Sequence, residues 1–175
     1  MDVPPLGPVV EDPDTGWLYS HSLFIPVLER ECQFALEGYG VDPKPTEFHF
    51  AIANMLYAER KVLLAVESEL FRYYKDYEGY CIDEGIELIE SPGQIWQHIE
   101  FHSDLLVKRR SFGDRRVYVS CEAECSWEAE HGLQIVFKEG AVVNKVGPYH
   151  DQLTNVDAFG DPSLEEMIYH SPFAR

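Results

Sequence analysis

The sequence predicts one α+β domain, in which helices cover one face of a mostly antiparallel sheet. Residues 117–127 alternate strictly between apolar and polar side chains, and residues 28–36 repeat this alternation. Such period-two patterns are typical of strands with one packed face. Residues 46–77 instead carry apolar side chains at helical spacing. We therefore predict an N-terminal strand pair and a C-terminal meander in one sheet, with helices over residues 46–77 packed on one face.

The chain is predicted to begin with an irregular segment, residues 1–15, followed by a single domain over residues 16–175. The irregular segment holds four prolines, three aspartates and one glutamate, a composition typical of chain that lies on the surface. The first strand starts at Gly16 and is interrupted at Pro26. Residues 28–36 form the second strand.

Residues 46–77 are predicted to form two consecutive helices, Thr46–Tyr57 and Ala58–Tyr77, or one bent helix. Thr46 is the expected N-cap, because a threonine side chain can accept a hydrogen bond from the first helical turn. Gly79 is the expected end, because glycine readily adopts the left-handed conformation found there.

A short third helix is predicted from Pro92 to about Ile99, with Ser91 as its N-cap and Trp96 as its anchor. A strand over residues 100–108 follows. A turn around Gly113 then leads to the central strand.

The central strand, residues 117–128, has two unlike faces. Every second residue from Val117 to Trp127 is small or apolar, whereas the intervening positions include Tyr118, Glu122 and Glu124. We expect the first face to be packed and the second to be solvated. Residues 133–137 and 141–146 complete the meander.

The net charge of −17 is the most unusual global property of the chain. Binding to a nucleic-acid backbone needs a surplus of Lys and Arg, so we expect no nucleic-acid partner. The charge suits a highly soluble protein, or one whose partner is basic. No apolar run approaches the length of a membrane span, so no membrane association is expected.

The N-terminus lacks the basic and apolar regions of a secretory signal, so we predict a cytoplasmic protein. Its four cysteines, Cys32, Cys81, Cys121 and Cys125, are then expected to be free thiols. Cys121 and Cys125 lie on one strand face about 13 Å apart at 3.3 Å per residue, too far for a disulfide in a regular strand.

The candidate binding residues cluster in and after the central strand. An acidic face with an aromatic anchor is typical of a protein-binding surface. The residues are Glu122, Glu124, Trp127, Glu128, Glu130 and His131. Trp127 is assigned to the core or, as an alternative, to a binding anchor. No nucleophile-elbow, S-x-x-K or P-loop motif is present, so no catalytic residue is predicted.

A metal site built on Cys121, Cys125 and His131 is the competing hypothesis. Zinc needs ligands that converge, usually from a tight C-x(2–4)-C turn. Here C-x(3)-C lies within an alternating strand, which spreads the sulfurs, so we predict core positions and no cofactor. His98 and His102 flank Glu100 in the wrong order for a metalloprotease helix.

Five of the fourteen basic residues lie within Lys108–Arg116. We interpret this basic segment as a solvated hairpin end that faces the acidic strand. A separate anion site is the alternative.

Two stretches of the C-terminal half carry a resemblance. They read E-C-S-W-E-A-E-H-G-L-Q-I-V-F-K-E-G, Glu124–Gly140, and V-G-P-Y-H-D-Q-L-T-N, Val146–Asn155. Their motif, W-E-x-E-H-G-L-x-x-x-F-x-x-G, resembles a family of bacterial domains of unknown function. The resemblance implies an α+β fold and supplies no catalytic residues. It also suggests an immunity or accessory factor beside a toxin.

The sequence therefore favours a non-enzymatic, acidic protein-binding domain, such as an immunity protein that masks a basic toxin. One alternative is a metal-dependent or hydrolytic enzyme that uses Cys121, Cys125 and His131. Another is a structural module that forms a homodimer through an exposed hairpin edge.

Overall fold

The computed structural model describes residues 1–174, which form one nine-stranded sheet with helices inserted between the fifth and sixth strands. The strands are β1 Asp2–Val3, β2 Gly7–Glu11, β3 Leu18–Ser20, β4 Leu23–Ile25, β5 Arg30–Leu36, β6 Ile99–Arg109, β7 Val117–Cys125, β8 Leu133–Lys138 and β9 Val142–Gly147. The α-helices are α1 Pro45–Tyr57, α2 Lys61–Leu64, α3 Glu67–Glu84 and α4 Asn155–Phe159. Short 3₁₀ helices span Tyr39–Val41, Pro92–His98 and Pro162–Leu164.

The sheet is almost entirely antiparallel. Its order is β1-β2-β3-β5-β6-β7-β8-β9, and β4 pairs with β5 beside β3. Within residues 1–174 only β5 and β6 run parallel, with Gln33 opposite Asp104 and Leu36 opposite Val107. Parallel neighbours need a long crossover, and here that crossover carries α1 to α3. The predicted α+β class and mostly antiparallel sheet are confirmed.

The crossover helices pack on one face of the sheet, as predicted. Phe48 and Met55 of α1 and Leu70 and Tyr73 of α3 are fully buried. They share one core cluster with apolar side chains of the strands, including Val119, Cys121, Ile135 and Phe137. Burying this apolar face is the main force that holds the helices to the sheet.

The helix boundaries differ from the predicted ones. α1 begins at Pro45, with Lys44 rather than Thr46 at the N-cap position. The stretch after Tyr57 is divided between α2 and α3. Gly79 does not end α3, because the next turn places Cys81 in the core and so holds it in the helix. The helix is instead terminated by Gly85, which has the left-handed conformation (φ 68°) that was predicted for Gly79.

Residues 1–15 are not irregular, which corrects the prediction. β1 pairs with β2, and β2 continues the sheet against β3. Val3, Leu6 and Val9 are 0%, 2% and 7% exposed. The many prolines concealed this regular spacing of apolar side chains, whose burial ties the segment to the core.

The short helix after Ser91 is a 3₁₀ helix, and Ser91 makes no side-chain cap. Its buried anchor is Ile95 rather than Trp96. Trp96 lies at the edge of the core, where its Nε1 donates to the Glu67 carboxylate.

The polar face of β7 is solvated only near the end of the strand. Tyr118 and Ser120 are 1% and 4% exposed, although they lie on the face expected to be wet. Tyr118 packs with Val136 and Leu153 in a second, smaller apolar cluster. Leu153, in the chain that follows β9, covers Tyr118. The alternation of residues within β7 could not indicate a contact with such a distant segment. Among residues 1–174, no helix combines the length and apolar character that crossing a bilayer requires.

Candidate binding cleft

An acidic cleft of about 300 Å³ opens where β7 ends. Most of its wall comes from β7 and from the turn that leads to β8. The lining residues are His102, Glu122, Ala123, Glu124, Cys125, Glu128, Ala129, Glu130, His131, Gly132, Leu133 and Tyr149. Five of the six predicted binding residues therefore lie together. The sixth, Trp127, does not line the cleft.

A bulge in β6 brings His102 to the cleft. The β6–β7 pairing shifts register between Phe101 and Leu105, and such bulges change the direction of side chains. His102 Nδ1 lies 3.7 Å from Glu122 Oε2, and both side chains are about half exposed. No local pattern marks His102 as a cleft residue, because its position depends on the β6–β7 register.

Glu128 shapes the turn that forms one wall. Glu128 is only 6% exposed. Its carboxylate accepts hydrogen bonds from the backbone N–H groups of Glu130 and His131, each at 2.8 Å. His131 Nδ1 lies 3.2 Å from the same carboxylate. Glu128 is therefore a structural residue of the cleft, while the side chains of Glu130 and His131 face solvent.

Trp127 is a core residue, and its alternative role as a surface anchor is wrong. Its side chain is 0% exposed. It meets the rings of Tyr73 and Tyr74 edge-on, with centroid distances of 5.6 Å and 6.2 Å. Edge-to-face packing of this kind adds to the stabilisation from burial.

The cleft is strongly acidic. Four carboxylates and two imidazoles line it, and among residues 1–174 no Lys or Arg does so. Tyr149 forms part of the rim, and partial burial, followed by the charge of nearby Glu122, raises the pKa of its phenol. A cationic group is the complement of this surface.

A family model described as a domain of unknown function, DUF6985, matches residues 5–153. The chain belongs to the DUF6985 family. The DUF6985 match includes every residue that lines the cleft. It also begins within the segment that was expected to be irregular. Comparisons with curated proteins and with solved structures return no match.

The four cysteines of this DUF6985 domain are all buried. Burial raises the pKa of the Cys125 thiol to about 12 and raises that of Cys121 further still. The thiolate is the form that attacks substrates and binds metals, and these surroundings disfavour it. Cys121 and Cys125 therefore occupy the core positions that their spacing predicted.

The side chains that converge as potential metal ligands differ from the set Cys121, Cys125 and His131 of the alternative hypothesis. Within residues 1–174, Glu128, Glu130 and His131 each place one potential ligand atom within 4.8 Å of the others. Two carboxylate oxygens and an imidazole are suitable ligands for a divalent cation. The Glu128 oxygens, however, already accept the backbone hydrogen bonds of the turn.

The basic segment Lys108–Arg116 is partly buried in internal ion pairs rather than forming a solvated hairpin end. Arg110, 3% exposed, makes a two-pronged contact with Asp157 at 2.7 Å and 2.9 Å. Arg109 does the same with Asp42. These pairs tie the hairpin to α4 and to the chain before α1. Both arginines are therefore already paired with carboxylates and are not free to bind an anion.

Proposed function

We propose that this DUF6985 domain is a non-enzymatic binding module whose acidic cleft receives a Lys- or Arg-rich segment of a partner protein. The partner we favour is a basic toxin, which would make the domain an immunity protein. The observation that carries the proposal is the lining of the cleft by Glu122, Glu124, Glu128 and Glu130, with no Lys or Arg among residues 1–174 beside them.

Electrostatics supports this partner. The cleft carboxylates have few positive neighbours within the fold, so a guanidinium or ammonium group would gain charge-assisted hydrogen bonds on entering. The net charge of −17 would also attract a basic protein from a distance and accelerate association at low salt.

The build of the cleft supports binding as well. Glu128 fixes the turn through two hydrogen bonds, so the backbone of Glu130 and His131 is held in place before any partner arrives. Preorganisation of this kind lowers the entropy cost of association. Tyr149 adds an aromatic ring at the rim, on which an arginine side chain can stack.

The test compares two charge-neutralised variants of the full chain. The cleft variant is Glu122→Gln, Glu124→Gln and Glu130→Gln, which spares the structural Glu128. The control variant, Asp83→Asn, Glu84→Gln and Glu87→Gln, removes the same charge from an exposed surface at the end of α3. The probe is fluorescent nona-arginine, titrated at low salt by anisotropy.

We expect the cleft variant to bind the peptide about tenfold more weakly, equivalent to about 1.4 kcal/mol. The control variant should stay close to the wild type. Equal losses in both variants would mean that only net charge matters, and the cleft would then not be the binding site. An immunity role further requires a neighbouring gene for a basic toxin, whose inhibition the cleft variant should lose.

A further inference from the structure

A lysine is buried beneath the chain that follows β9. Lys145 of β9 is 1% exposed and lies under residues 149–153, called here the cover segment. Its Nζ donates to Gln134 Oε1 at 2.6 Å and to the backbone oxygen of Gln152 at 2.9 Å. Gln134 in turn donates to Ser120 Oγ at 2.9 Å. Lys145 therefore hydrogen-bonds only to neutral groups within residues 1–174.

The hydrogen-bond count suits an uncharged amine. A neutral lysine has two N–H groups, whereas an ammonium has three. The contacts made by Nζ within residues 1–174 provide two acceptors, those of Gln134 and Gln152. Protonation would add a third donor and a charge to a site closed to water, and both are costly.

The nearby carboxylates are already paired with other cations. Asp151, in the cover segment, bonds to Lys108 of β6 at 2.8 Å. Asp157, in α4, holds Arg110. These two acids and Lys108 are the charged groups that act on Lys145. Burial outweighs the two acids and lowers the pKa of Lys145 from 10.5 to about 7.

The cover segment carries a second titratable group in a similar position. His150 Nε2 is buried and has no hydrogen-bond partner among residues 1–174. Burial lowers the pKa of this imidazole, and Lys145 and His131 lower it further. Protonated Lys145 and protonated His150 would therefore repel each other across the contact between β9 and the cover segment.

We propose that the cover segment is a pH-dependent gate, which protonation of Lys145 and then of His150 releases from the sheet. Tyr149 belongs to this segment and also lines the acidic cleft. Release would remove one wall of the cleft and change how it holds a cationic segment. This last consequence depends on the proposed function, whereas the release itself does not.

Linkage fixes the direction of the effect. In the closed state the pKa of Lys145 is about 7, and once the side chain is exposed this pKa returns towards 10.5. Opening therefore takes up a proton between these values and is favoured about tenfold for each pH unit lost, levelling off below about pH 7. His150, whose pKa also lies below its usual 6.5 when closed, extends the same trend into mild acid.

The experiment follows exchange of the His150 backbone amide, which donates to Gln134 Oε1, and expresses it as protection relative to an unstructured peptide at the same pH. In the wild type, we expect protection to fall about tenfold per unit between about pH 9 and about pH 7. Amides within β7 should show a weaker trend if the opening is local. Lys145→Met and Lys145→Gln cannot take up the proton and should remove the slope.

Lys61→Met is the matched control, since Lys61 is an exposed lysine paired with Glu59, and it should keep the wild-type slope. An unchanged slope in the Lys145 variants, or a flat profile in the wild type, would overturn the gate. Nona-arginine titrations at both ends of the pH range separate the two proposals. A gate that opens without any cleft-dependent peptide binding would refute the proposed function and leave the gate intact.

Discussion

Trp127 is buried in the core although its neighbours in the sequence line the cleft. It lies between the cleft residues Glu124 and Glu128, yet its ring is directed into the core against Tyr73 and Tyr74. Glu128 next to it is buried too, and caps the turn. In this short stretch, one side chain packs in the core and its neighbours line the cleft.

Replacing Trp127 with alanine should destabilise the fold strongly. The loss of a fully buried aromatic side chain typically costs about 3–5 kcal/mol. Urea unfolding followed by circular dichroism would measure it. Phe50→Ala is the control, because Phe50 is 69% exposed on α1 and its loss should change stability by less than about 0.5 kcal/mol. Similar losses at both positions would contradict the core assignment of Trp127.

Single residues were predictable from the sequence where local spacing decides their environment. Cys121 and Cys125 were assigned to the packed face by alternation alone, and both are buried. Tyr118 and Ser120 were not, because Leu153 covers Tyr118 and Gln134 hydrogen-bonds to Ser120, and both partners lie further along the chain. The role of Glu128 as a turn cap depends on backbone geometry that no spacing reveals.

At the scale of elements, the β8–β9 turn docks directly on α1. Asn54 Nδ2 donates to the backbone oxygen of Glu139 at 2.9 Å. Gly140 has φ 67°, and a Cβ atom there would lie 2.0 Å from the backbone oxygen of Ala51. The helix and the turn therefore approach so closely that only glycine fits.

Gly140→Ala should destabilise the protein far more than Gly38→Ala. Gly38 also has a positive φ, of 74°, but a Cβ atom there would meet nothing within 4 Å. Its substitution therefore isolates the backbone strain, about 1 kcal/mol. Overpacking at Gly140 should add about 1–3 kcal/mol. Thermal and urea unfolding of both variants would test the difference, and equal effects would mean that the turn is not tightly docked.

Element types were more predictable than their ends. The strands of the meander and the helical stretch after residue 45 follow from period and spacing. The end of α3 at Gly85 rather than Gly79 was decided by the burial of Cys81, a tertiary contact. β1 and β2 were missed because proline content outweighed the inward spacing of Val3 and Val9.

At the scale of the whole molecule, two electrostatic effects oppose each other. A net charge of −17 favours expansion of the chain through self-repulsion. Internal pairs such as Arg109–Asp42 and Arg110–Asp157 favour the fold, and they are too buried for salt to screen them well. Added salt should therefore weaken the repulsion more than the attraction.

Raising NaCl from about 0.01 M to about 1 M shortens the screening length from about 30 Å to about 3 Å. We expect Tm to rise by several degrees over this range in differential scanning calorimetry. The variant Asp83→Asn, Glu84→Gln and Glu87→Gln carries three fewer negative charges, so its Tm should rise less. A fall of Tm with salt would show instead that exposed ion pairs dominate stability.

The single parallel contact in the sheet has a consequence for how the chain assembles. Gln33 and Asp104 are 71 positions apart, whereas β3 and β5 join Leu18 to Leu36. Loop-closure entropy grows by about 0.6 kcal/mol for each doubling of length, so the β5–β6 pair is the hardest in the sheet to close by chance. The sheet should therefore be completed from its two antiparallel halves inward, with its centre the last part to form.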